Sequence, residues 1–266
     1  MKYDVSSIWQ RLPTDLVSKI ERCVAAGCER TAAGGGSRIF FRADDIAVPG
    51  QQFARLLQIF SRYRAPLCLA IVPAWLTRPR WSALRRIAQK AGSRWCWHQH
   101  GWRHTNHEVE GKKQEFGPAR SRDDLEHDIL CGRQRLEKLL GEEFYPVFTP
   151  PWNRCDQKAL EVLKHLGYAA VSRSRGSRPQ PSEGLPSYDV NVDLHTRKEK
   201  TPAAGWANLF DELQPAIASG RCGIMIHHQL MNQAAFNFLE ILLKVLTRHK
   251  ELKLVDFEDL GASVAQ

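Results

Sequence analysis

No stretch of this sequence comes near the roughly 20 consecutive apolar residues that cross a bilayer, and its opening, MKYDVSSIWQRLPTDL, has no apolar block behind the first lysine. Neither a membrane-spanning helix nor a cleavable secretory leader is expected, and the expected location is the cytoplasm. Cys-x-x-Cys pairs are missing too: Cys23, Cys28, Cys68, Cys96, Cys131, Cys155 and Cys222 stand singly and are odd in number. That argues against a disulfide framework and a thiolate zinc site, and for reduced, buried thiols. The run Gly34-Gly35-Gly36 lacks the Gly-Lys-Ser/Thr ending of a phosphate-binding loop and reads as a connector. No repeat, low-complexity tract or long linker divides the chain, so one domain is expected, with 1–35 as an N-terminal helical extension of a body formed by 36–266.

What is there suits a globular protein: 266 residues, 43% of them apolar, are enough to fill a substantial core. Lysine and arginine total 38 against 29 acidic residues, a net charge of +9. In the sequence these charges look spread rather than gathered. The nearest thing to a cluster is Arg173, Arg175 and Arg178 in SRSRGSRPQP, an exposed loop with no interleaved aromatics, so neither nucleic acid nor a membrane is an expected partner.

Residues Asp15 to Glu29 place Leu16, Ile20, Cys23 and Val24 at helical spacing, with Thr14 or Asp15 positioned to cap an N-terminal helix. Short apolar runs then alternate with helical-period segments: Arg38–Arg42 and Gln51–Arg62, Leu67–Val72 and Trp81–Lys90, Arg94–Trp97 and Asp123–Leu140, Val147–Thr149 and Gln157–Leu166. Strands at Ala169–Ser172, Tyr188–Val192, Gly223–His227 and Leu252–Val255 follow, with helices at Ala203–Ala218 and Ala234–Arg248. Seven or eight strands with intervening helices predict an α/β fold of (β/α)-barrel type, an incomplete one, ahead of a doubly wound open sheet.

Polar residues gather at the strand ends: Asp44 and Asp45 after the first, His98, His100 and His104 after the third, Pro150, Pro151 and Trp152 after the fourth, Asp189 and Asp193 near the sixth, and His227 and His228 after the seventh. In a parallel barrel those C-terminal ends share one rim, where such folds keep their chemistry. In His100-Gly-Trp-Arg-His104 two imidazoles four apart lie on one face of a helical turn and reach one metal ion. Gly101 stands where a zinc protease needs its glutamate, which excludes that class. Two adjacent carboxylates cannot both turn inward on a regular strand, but at a bend Asp44 and Asp45 can divide the roles of base and ligand; the alternative is a helix N-cap ahead of Gln51. The segment 106–122 is long enough to fold over the site.

In this order RADDIAVPG, HGWRH, FTPPWN, YDVNVD and GIMIHH resemble the five motifs of the polysaccharide deacetylase family, over roughly Arg38 to His228. The resemblance implies a distorted (β/α)7 barrel and a divalent metal ion, Zn²⁺ first, held by Asp45, His100 and His104. It also implies Asp44 as general base and His227 as general acid, with Asp193 supporting that histidine. His228 occupies the place of a commonly following aspartate, and His98 and His107 stand as second-shell or spare ligands. Trp102, Pro151 and Trp152, with Trp75, are candidates for binding an N-acylated sugar or related small molecule. The family arginine before Pro-Pro is Thr149 here, with Arg154 or Arg42 as substitutes. The expected activity is hydrolysis of a C–N amide bond, foremost an N-acetyl group on a sugar; the rivals are another linear amide and a metal-free glycan-binding protein.

Overall fold

The computed structural model describes residues 5–31 and 36–262; most of the triglycine connector lies outside them. Its strands are β1 (Ser37–Ile46), β2 (Leu67–Ile71), β3 (Trp95–His100), β4 (Phe144–Thr149), β5 (Ala170–Val171), β6 (Val192–Asp193), β7 (Arg221–Ile226) and β8 (Leu252–Val255). The helices are α1 (Leu16–Glu29), α2 (Gln51–Arg62), α3 (Arg78–Ala91), α4 (Arg122–Leu140), α5 (Gln157–His165), α6 (Pro202–Ala218), α7 (Gln233–Leu246) and α8 (Phe257–Ala262). Strand order is β5-β4-β3-β2-β1-β7-β6, with β8 on β1, and every pairing is parallel. The sheet curls into a distorted (β/α)7 half-barrel in one domain, not an open doubly wound sheet.

Between β5 and β6 the ladder is broken. The strand expected at Tyr188–Val192 survives only as isolated bridges from Ser187 and Val190 to Val171 and Ser174, followed by the two residues of β6 on β7. The last strand does not extend the wall. β8 takes the N-terminal half of one β1 edge (Ser37–Phe40) while β2 takes the C-terminal half. α8, unanticipated in the sequence, then drives Phe257 into the barrel against Phe40, His98 and Tyr188, with ring centroids 4.9–5.5 Å apart.

Period-two alternation sorts the side chains. Ile39, Phe41 and Ala43 of β1 face the helices, where Phe41 packs edge-on to Phe60 of α2. Phe40 faces inward with Cys68, Cys96, Val147, Met225 and Phe257 in a separate interior cluster. Above this apolar floor lies a buried polar layer of Arg42, His98, Thr149 and Ser172, and above that the rim. Thr77, Ser121, Asp156, Thr201 and Asn232 each cap a helix by accepting a backbone N–H from the third residue on. Asp15 holds the N-cap position of α1 but its side chain makes no such bond. α1 lies tight against α6, where a Cβ on Gly27 would come within 2.8 Å of Ile217. Among the described residues no helix is long and apolar enough to cross a membrane.

Gly223 of β7 faces the floor, and a Cβ there would collide with the Phe40 ring and come within 2.5 Å of the Asp189 carbonyl. Gly223→Ala should therefore destabilise the fold by about 1–3 kcal/mol through overpacking, read as a lower midpoint in thermal unfolding; an unchanged midpoint would mean the floor yields freely.

Candidate active site

β1 brings three charged side chains to the rim. Arg42 and Asp44 continue the inward face begun at Phe40, so a regular strand would send Asp45 outward. Instead β1 sets three residues against two of β2, pairing Ala43 with Leu69 and Ile46 with Ile71, and Asp45 adopts φ 60°. This bulge turns both carboxylates into the site. The Gln229 side chain donates to the Asp45 carbonyl at 2.7 Å and holds it. The aspartates thus sit inside the strand, not after it, and they do not cap α2, whose N-cap residue is Gly50.

His98 and His100 likewise belong to β3 itself. His100 donates from Nδ1 to the Thr149 carbonyl at 2.9 Å, which leaves Nε2 facing Asp45 Oδ1 at 3.3 Å. His104 reaches the same oxygen, also at 3.3 Å. It does so without the expected helical turn, because the chain doubles back through left-handed residues at Gly101 (φ 57°) and His104 (φ 60°). A Cβ on Gly101 would collide with the Glu115 carboxylate and approach Pro151 to 2.6 Å, so only glycine fits. Glu115 is fully buried and accepts the Trp102 and Arg103 N–H groups at 3.1 and 2.6 Å. Segment 106–122 is accordingly pinned beside the site by Glu115 and Phe116, the latter bridging to Cys155. Nothing marks Glu115 in the sequence beyond a carboxylate in a long polar loop.

The carboxylate and imidazole donors of Asp45, His100 and His104 converge within 4.8 Å of one another, and Asp45 Oδ1 is buried with no hydrogen-bond donor. Separations of 3.3 Å match the roughly 3.3 Å edge of a tetrahedral shell with bonds of about 2.0–2.1 Å, and one oxygen with two imidazole nitrogens suits a divalent ion of zinc type. These residues therefore fit the metal that the family generally uses. Burial raises the Asp45 carboxyl, but His100, His227 and His104 outweigh it and leave it well below the usual range. Burial lowers His100, yet Asp45 and Asp44 carry it above its ordinary value. Burial and the neighbouring His100 hold His104 down at about 4.

Arg42, weighed from the sequence only as a substitute, grips Asp44 in a two-pronged pair, Nε to Oδ1 and Nη2 to Oδ2, each 2.8 Å. Both side chains are buried. Arg42 also donates to Ser172 Oγ at 2.8 Å and Asn153 Oδ1 at 2.6 Å, tying β5 and the turn after β4 to the same guanidinium. Burial pushes the Asp44 carboxyl up, but Arg42, with His100 and His227, overrides it and holds the group below its usual value. Arg154 is engaged elsewhere, on the Lys113 carbonyl.

The two histidines after β7 lie in different surroundings. Met225 points inward, where its sulfur meets Arg42 at 3.1 Å, while Ile224 and Ile226 join the outer core. His227 continues the inward side, and His228 is buried against Phe53 at a ring distance of 5.8 Å. Asp193 does not reach His227. Its carboxylate accepts the His195 and Thr196 N–H groups at 2.9 Å, closing the loop after β6. His195, unnoticed in the sequence, accepts the His227 N–H on Nδ1 at 3.1 Å and lies on Trp9. His98 is no ligand; it bonds Thr149 Oγ1 at 3.0 Å beneath His100, and burial with the nearby Arg42 holds it at about 3. Trp152 (φ 56°) and Trp75 flank His104 at 4.5 and 5.7 Å between ring centroids. Trp102 instead packs against the cluster around Phe116 and Phe148, away from the imidazoles, and Pro151 is buried under the His100–His104 loop.

A parallel half-barrel with an Asp-His-His cluster beside a buried, arginine-held carboxylate defines the hydrolase fold of carbohydrate deacetylases. The sequence model of the family described as polysaccharide deacetylase matches residues 35–171, and the chain belongs to that family, which acts on acetylated carbohydrates. No curated protein matches the sequence. Among solved structures the chain is similar to a protein from Mycobacterium smegmatis described as a polysaccharide deacetylase, with TM-score 0.66, 13% identity and 88% of this chain and 92% of that one covered. It is also similar to a family 4 acetyl xylan esterase from Clostridium thermocellum in complex with a cobalt ion, with TM-score 0.55, 13% identity and coverages of 86% and 92%. A family 4 pseudoenzyme from Bacillus anthracis aligns with TM-score 0.54, 10% identity and coverages of 85% and 66%. Identities this low speak for the fold alone.

His195 and His228 are both buried, and burial holds their values down, His228 at about 4 and His195 well below normal. Between pH 6.5 and 4 the unfolded chain binds protons that the fold refuses, so the stability these groups contribute is complete above about pH 6.5 and is lost as pH falls. Unfolding free energies from denaturant titration should drop over this window by up to about 1.4 kcal/mol per pH unit for each histidine. His228→Gln should flatten the slope, and equal slopes in the two proteins would show that His228 is not held neutral.

Proposed function

We propose that this chain is a metal-dependent amide hydrolase that removes an N-acetyl group from an acetylated sugar or sugar conjugate. The observation that carries the reading is the convergence of Asp45, His100 and His104 on one point beside Asp44, which Arg42 holds separately and ionised. A protein that only binds glycan needs neither a ligand set nor a base fixed apart from it. When bound there, a divalent ion, zinc first, would polarise the acyl carbonyl and make a nearby water more acidic.

Asp44 accepts the proton of the attacking water, and Arg42 keeps its carboxylate ionised and aimed. His227, on the inner face of β7, gives a proton to the departing nitrogen, which leaves poorly as an anion. The backbone N–H of Trp152 serves the developing oxyanion, and the rings of Trp152 and Trp75 form the wall on which a sugar face rests. All seven cysteines are free, which supports a reducing compartment.

Elemental analysis of the purified protein together with acetate release from a panel of N-acetylated sugars tests the reading. Asp44→Asn should retain metal and lose about 10²–10⁴ in kcat, whereas His100→Ala or His104→Ala should lose the metal itself; stoichiometric metal in both histidine variants would remove the ligand assignment. His227→Ala should cost far more kcat than His228→Ala, with metal kept in each.

Arg42→Lys gives up the two-pronged grip and should move the acid limb of the kcat/KM profile to higher pH, because the Asp44 anion loses support. An unmoved limb would place the base elsewhere.

A further inference from the structure

Arg154, Arg175, Arg178 and Lys112, with Gln114 and Asn153, line a cavity of about 400 Å³ that contains no carboxylate. Among the described residues none of the four cations is in an ion pair, although Arg42, Arg62, Arg85, Arg94, Arg120, Arg122, Arg133, Arg197 and Arg248 all have carboxylate partners. Other arginines of the chain are unpaired as well, but here four cations without a carboxylate among them line one concavity. Arg173, on the same loop, is 1% exposed, donates to the Pro179 carbonyl at 2.8 Å and to the Cys155 sulfur, and is in no ion pair either.

The loop that carries Arg175 and Arg178 is tied down through its backbone and neighbours. Arg175 N–H bonds the Val190 carbonyl, Ser177 Oγ bonds the Ser174 carbonyl at 2.7 Å, and the Arg173 bond to Pro179 pins the far side of the loop. The cavity also adjoins the chemistry. Asn153 lines it and accepts from Arg42 at 2.6 Å, and the next residue back, Trp152, stands over His104. A multiply charged oxyanion is the ligand that such an array recognises, since guanidinium forks match its oxygens.

We propose that the substrate of this chain carries a phosphate, as monoester or diester, seated among Lys112, Arg154, Arg175 and Arg178 while its N-acyl sugar lies at Asp44 and His104. The proposal rests on the deacetylase reading for the sugar end, but the anion seat is tested by binding alone. The full-length protein is titrated, with calorimetric readout, with N-acetylglucosamine 1-phosphate, N-acetylglucosamine, an N-acetylated hexuronic acid and pyrophosphate. The phosphorylated sugar should bind about 10- to 100-fold more tightly than the neutral one, as charge-assisted hydrogen bonds predict, and the preference should shrink as salt rises from about 0.05 to 0.5 M. Pyrophosphate should compete with the phosphorylated sugar.

The double variant Lys112→Gln/Arg178→Gln should lose the preference at unchanged metal content and unfolding midpoint. Arg38→Gln/Arg221→Gln, which alters a second cavity of about 480 Å³ that shares only Arg175 with the first and carries the Asp189 carboxylate, should keep it. Equal affinities for the phosphorylated and neutral sugars, a preference for the uronic acid, or loss of the preference only in the Arg38/Arg221 variant would each overturn the proposal. Phosphate-dependent binding without acetate release would leave the anion seat standing and remove the deacetylase reading instead.

Discussion

A guanidinium buried at the centre of a barrel must be matched or expelled, and Arg42 is matched by Asp44 on its own strand, two residues on. An isolated charge in that position would cost several kcal/mol, and stripping one partner from such a pair about 3–5 kcal/mol. The rest of the interior is arranged to meet that constraint. Ser172 and Asn153 take the remaining N–H groups, and the Met225 sulfur closes the shell. One side chain therefore sets the relation of β1 to β5, to β7 and to the turn after β4, and at the same time keeps a buried carboxylate ionised. It also accounts for Thr149. With the charge supplied from β1, the β4 position is free to hold His98 by its hydroxyl and to aim His100 by its carbonyl.

The second constraint is conformational. Among the described residues five non-glycines have positive φ, and four of them, Asp45, His104, Trp152 and Asn153, belong to the site. Left-handed backbone at such residues costs energy, of order 1 kcal/mol each, and persists because neighbours hold it: Gln229 on the Asp45 carbonyl, and Glu115 on the N–H groups of the loop that carries His104. The strain is concentrated where convergence of side chains from β1, β3 and β4 demands departures from regular strand geometry.

Much of this was legible in the sequence. The strand-helix alternation, the rim location of the acidic and histidine residues, and a likeness carried by five ordered motifs could all be read because they depend on local period and order. What could not be read depends on register or on chain reversal. A one-residue bulge decided where Asp45 points, and two left-handed residues, not a helical turn, brought His104 back to His100. Of the candidate tryptophans, the loop turns Trp102 into a neighbouring core, whereas Trp75 and Trp152 stand beside His104. Arg42 lay in plain sight, but its reach to Asp44 follows from both being on one face of a strand whose inward side the sequence left open. Arg175 and Arg178, close in sequence, are joined by Arg154 and Lys112 from two other segments of the chain.

The placement of β8 bears on how the molecule comes into being. β1, the central strand, is synthesised well before β8, yet half of one of its edges is occupied by Leu252–Val255 and Phe257 packs into its floor. Until β8 and α8 have been synthesised, the growing chain carries an open seam beside β1 and an unplugged barrel, and pairings of such long sequence separation form slowly. Closure of the barrel floor is consequently set by β8 and α8, and chains with exposed strand edges of this kind are aggregation-prone before they close.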